Sequence, residues 1–141
     1  MAEPSRDELW RGVEYTVRNV LLPSITDDWA RVAAIQLIGL ARYAATRPDD
    51  LTPVRAAELA AALDGLATNP IVAELWPGDD RGVAVVMKAI SDALSAAIGR
   101  TDEAADEIRS VLRPIVVRHL DDDLAVTQPM LPYFRGQLPD A

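Results

Sequence analysis

Apolar residues in this chain recur at intervals of three and four, and no stretch alternates with period two over the length of a strand. Prolines and glycines cut that helical rhythm into segments. The expected fold class is therefore all-α: a single bundle of about five helices over residues 1–124, followed by a proline-punctuated extended tail over 125–141. One domain is what 141 residues ordinarily make.

The boundaries follow from local chemistry. Ser5 with Glu8 three residues on is a capping box, and Leu9, Trp10, Val13, Val17, Val20 and Leu21 carry the first helix to Pro23. The second opens near Thr26-Asp27-Asp28 and runs to about Thr46. Thr52 with Pro53 begins the third, since proline's missing N–H costs least in a first turn. A short turn from Asn69-Pro70 to Trp76 follows. The fourth helix begins after Asp79-Asp80, has one stripe from Val83 to Ile98, and stops at Gly99. The fifth opens at Thr101. Pro114 lies opposite its apolar face, which predicts a kink and not a break. Beyond Ala125 the prolines favour extended backbone, while Met130, Leu131, Tyr133 and Phe134 are too apolar for an idle end. The tail is expected to lie as a strap in a groove with Tyr133 and Phe134 covered.

Composition closes several chemistries. Fourteen basic against 22 acidic residues give a net charge of −8, which disfavours nucleic acid and anionic membrane surfaces as partners. With no cysteine and one histidine, disulfides, thiol catalysis and His-rich metal sites are excluded. The seven glycines form no phosphate-cradling pattern, and no serine sits in a hydrolase elbow. No cofactor is expected. The Met1–Trp10 start has no basic-then-apolar character, so the expected location is the cytoplasm.

His119 is the ordinary candidate for proton transfer, four residues before Asp123 and within reach of it on a helix. The competing account is an imidazole packed at a helix C-terminus. Asp102, Glu103, Asp106 and Glu107 share a helical face that can bind Mg²⁺, though such an enzyme needs a second acidic helix and the dipole alone explains acid in a first turn. No catalytic residue is assigned. Acidic pairs at 27–28, 49–50 and 79–80 precede helices and read as caps; Asp121–Asp123 reads as a solvated stop.

Helix two is apolar almost all round. Trp29, Ala33, Leu37, Leu40 and Ala44 form one stripe, with Arg31, Ile35, Ile38 and Arg42 opposite. Isoleucines bracketed by arginines fit an interface core with a charged rim. They also fit a helix sandwiched in its own bundle with snorkelling arginines.

The stretch Leu9 to Asp50 contains Leu21-Leu22-Pro23, then Ala30-Arg31-Val32-Ala33-Ala34, then Leu37, Leu40 and Ala41-Arg42-Tyr43. It resembles a small uncharacterised bacterial helical domain found fused to, or encoded beside, aminoglycoside-phosphotransferase-like proteins and acyl-CoA dehydrogenases. The resemblance implies an accessory role next to an enzyme. The phosphotransferase signatures, the H-x-D loop and the D-x-D or D-F-G motif, are absent. The expected function is thus a non-catalytic interaction domain with a protein partner or a second copy, acting through Arg31, Ile35, Ile38, Arg42, Tyr133 and Phe134. The alternatives are a bundle holding an apolar acyl or aromatic ligand and a Mg²⁺-dependent hydrolase.

Overall fold

The structure, a computed structural model, describes residues 2–47 and 50–139. Asp49 of the expected 49–50 cap and the last two residues of the tail lie outside that range. Among the described residues the chain is helical throughout, with no strand and no helix long and apolar enough to cross a membrane. In order the helices are α1 (Arg6–Thr16), α2 (Asp28–Thr46), α3 (Thr52–Gly65), α4 (Pro70–Leu75), α5 (Val83–Ala97), α6 (Glu103–Thr127) and a single turn, α7 (Leu131–Phe134). Backbone contacts divide the chain into two compact units instead of the single bundle expected.

One unit is Asp49–Asp121. Its core joins Leu59 and Leu63 of α3, Val72 of α4, Val86 and Ile90 of α5, and Ile108 and Leu112 of α6, all almost fully buried. Alanines at 60, 89, 93 and 105 let these helices approach closely. Asn69 caps α4 by accepting from the Ile71 N–H at 3.0 Å and donates to the Ala104 carbonyl and to Glu107, which satisfies it although it is buried. Asp102 caps α6 through the Ala105 N–H, one residue later than the expected start at Thr101. The helix then continues through Pro114 without a break.

The other unit joins both ends of the chain, Met1–Pro48 with Asp122–Ala141. The Ser5–Glu8 capping box forms with both of its hydrogen bonds. After α1 a π-helical turn (Val17–Leu21) and a 3-10 turn (Leu22–Ser24) carry the chain round to α2. Arg31 ties the turn down by donating to the Leu22 carbonyl, while Arg42 meets Glu14 at the far end, so α1 and α2 form an antiparallel hairpin.

The tail is a correction. Residues 125–139 are not an extended strap: α6 runs on to Thr127, past the expected boundary at Leu124, and Gln128–Met130 and α7 continue as helical turns. The reason is positional. Pro129 and Pro132 each fall in the first turn of a short helix, where a missing N–H goes unpunished. Gly136, at φ +74°, closes the segment with its N–H on the Tyr133 carbonyl and that of Gln137 on Pro132.

Candidate functional site

The α1–α2 hairpin has two faces, and α7 covers one. Tyr133 is fully buried there, in a small core with Val17, Leu22, Ile35, Ile38 and Met130. A side chain at Gly39 would collide with the Tyr133 Cβ, so α7 touches the α2 backbone itself. Around the phenol sits a polar network. Glu14 takes Arg42 Nη2 at 2.8 Å and Arg18 Nη2 at 3.4 Å, and both guanidinium groups donate to the Tyr133 hydroxyl. The Arg42 guanidinium also lies 5.1 Å from the Tyr133 ring centre. Gln36 donates to the Phe134 carbonyl at 3.1 Å. Two arginines, a carboxylate and a phenol that bond one another form a clamp holding α7 on the hairpin.

The expected interaction residues are thereby placed. Ile35 and Ile38 lie in the core, with Ile38 at 0 % exposure, and Arg31 and Arg42 are bound internally. They cannot form an exposed interface centre, so the sandwiched reading of this stripe is the one the structure has. Phe134 stays partly exposed at the rim while Tyr133 is inside.

The opposite stripe is the uncovered one. Trp29 is 84 % exposed and Leu40 52 %; Leu37 is exposed with them, and Ala33 lies between. At 100° per residue, Leu9 and Val13 leave α1 on the side away from Glu14 and Arg18, the residues that bond Arg42 and Tyr133. Leu9 is 56 % exposed, and Val13 and, in the π turn, Val20 are exposed too. Not one residue of α1 itself is buried. Leu9, Val13, Val20, Trp29, Leu37 and Leu40 are thus large apolar side chains that the hairpin leaves exposed.

Most of the residues considered for chemistry have structural partners, and Glu103 stands in the first turn of α6. Asp102 pairs with Arg100 and caps α6, Asp106 pairs with Arg109, and Glu107 accepts from Asn69. Among the described residues no group of three or more His, Asp or Glu converges as a metal site. The bond to Arg100 and the Ala105 N–H hold Asp102 below the usual carboxylate range. His119 meets Glu58 of α3, its Nε2 3.2 Å from a carboxylate oxygen whose neighbour takes Arg118. That partner is sixty-one residues away. No periodicity could have named it.

The unit Asp49–Asp121 also carries a surface groove of about 480 Å³ bordered by Leu94, Ile98, Arg109 and Arg113. Ile98 stands 78 % exposed on its rim, and Arg109 is tied to the Ala97 carbonyl at 2.7 Å.

Compared with protein-family models, with curated proteins and with solved structures, the chain matches none.

Proposed function

We propose that this chain is a non-catalytic accessory domain that works by protein–protein contact beside a partner enzyme, of the phosphotransferase-like or acyl-CoA-related kind. The exposed Leu9–Val13–Leu37–Leu40 face with Trp29 at its end carries this reading. An apolar face left open costs solubility, and assembly is the ordinary return for keeping one. In support, Asp102, Asp106 and Glu107 are held by ion pairs, a helix cap and a hydrogen bond from Asn69. The test is co-sedimentation with the purified enzyme encoded beside this chain. Wild type is expected to shift the enzyme boundary, and a folded Leu40→Asp variant is expected not to. Two identical boundaries, shifted or unshifted, would remove the face from the function.

A second reading rests on the 480 Å³ groove, where Ile98 and Leu94 offer apolar surface and Arg113 a cation for an acyl or aromatic ligand with an anionic head. Native mass spectrometry of the purified chain tests it by the presence of a bound mass.

A further inference from the structure

We infer that the occupant of the open hairpin face is a second copy of this chain, paired antiparallel through α2. The inference rests on the reading of that face as a contact surface and adds what fills it.

The argument is one of self-complementarity. A two-fold interface requires that residue i meet residue j while j meets i, so a stripe that fits itself must match when reversed. Along α2 the stripe reads Trp29, Ala33, Leu37, Leu40 and the half-buried Ala44, large and small in a definite order. Reversed on itself about Leu37, it sets Trp29 against the partner copy's Ala44 and Ala33 against its Leu40. Trp29 and Leu40 then each have an alanine opposite, the condition for filling space without overlap, and Leu37 meets its own copy at the axis. A parallel pairing sets Trp29 on Trp29 and Ala33 on Ala33, leaving bulk at one end and gaps between.

The repeat fits as well. Trp29 to Leu40 and Ala33 to Ala44 are both eleven residues, a period that keeps a stripe almost straight along its helix. The ends agree in charge: α2 is entered through Asp27-Asp28 and left through Arg47, so antiparallel copies set acid against base and oppose their helix dipoles. The size is adequate. Trp29 alone leaves most of an aromatic's ~200 Å² exposed, and α1 brings Leu9 and Val13 toward the ~800 Å² per partner of a standard interface. Two such hairpins face to face make four helices around one apolar seam.

Absence of cysteine from the chain makes the geometry directly readable. Leu37→Cys is expected to cross-link between copies on mild oxidation, because position 37 meets itself at the two-fold axis. Trp29→Cys with Ala44→Cys is expected to cross-link as the double variant, with neither single variant doing so. Sedimentation velocity of the unmodified chain over a concentration series is expected to show a dimer. Leu37→Glu, with circular dichroism confirming its helices, is expected to weaken that dimer more than about a hundredfold by setting two carboxylates against each other. The double swap Trp29→Ala with Ala44→Trp is expected to restore pairing that Trp29→Ala alone loses. A chain monomeric at every concentration overturns the inference, and so does cross-linking at Trp29→Cys alone, which means parallel copies. If that monomer still shifts the partner enzyme through an intact face, the contact reading stands and only the second copy is refuted. A dimer with no effect on the enzyme fails the other way.

Discussion

In the unit Asp49–Asp121, Leu59, Leu63, Leu66, Ile90, Ile108 and Leu112 are all within a few per cent of complete burial. In the unit built from the two chain ends, Leu9, Leu21, Leu37 and Leu40 stand in the open around a core of about half as many residues. Both are all-helical and of similar length, so propensity does not separate them. What separates them is alanine. Small residues at 56, 60, 89, 93, 97 and 105 let α3, α5 and α6 close on one another until each leucine is enclosed. The end unit has two full helices and a one-turn α7, which covers one side of a two-helix layer and leaves the other bare. Such a layer buries too little apolar surface to be complete, whereas a sandwiched one does not.

Removing the cover should give the largest effect. A chain ending at Leu124 loses Met130 and Tyr133, and burying groups of that size is worth several kcal/mol at ~25 cal/mol per Å². Residues 6–46 are expected to lose hydrogen-exchange protection while those of α3 to α5 keep theirs. Equal loss in both would show that the units are one cooperative whole. Next in size is Leu63→Ala, which opens a cavity in the better-filled core and should cost about 2–5 kcal/mol by denaturant titration. The cost is expected with no change in oligomeric state, in contrast to Leu37→Glu. The smallest effect is electrostatic. Asp64 accepts from both Arg81 nitrogens and from the Trp76 indole at 2.9 Å, and these bonds lower its carboxyl to about 2. A depressed folded-state value contributes stability above the unfolded-state value, and that stability is lost as pH falls toward 2. Melting temperature followed from pH 5 to 2 should therefore fall less steeply in Asp64→Asn than in wild type. Identical slopes would mean that the exposed pair stabilises nothing.

Much of this was legible from the residues alone. Period and breakers gave the helical class, Ser5 and Glu8 the first cap, and Pro53 the start of α3 to within a residue. Helix two showed that it had two apolar faces, but the choice between them was hidden. The inside is decided by α7, whose Tyr133 reaches Arg42 across 91 residues. The tail misled because Pro129 and Pro132 break a long helix yet suit a first turn, and only their spacing relative to Gly136 distinguishes the two. His119 announced itself as a histidine, while its Glu58 partner lay in another helix.

The discontinuity of the unit built from Met1–Pro48 and Asp122–Ala141 sets an order of events during synthesis. The hairpin is synthesised before the turn that shields one of its apolar faces, with α3, α4, α5 and α6 made between them. Asp49–Asp121 is contiguous and has everything it needs to fold in the interval, since domains form as units in the order they emerge. The hairpin must wait through that whole stretch for Tyr133, and long-range closures of this kind are slow. For that interval both apolar faces of the hairpin stand open, and α7 is the element that closes one of them.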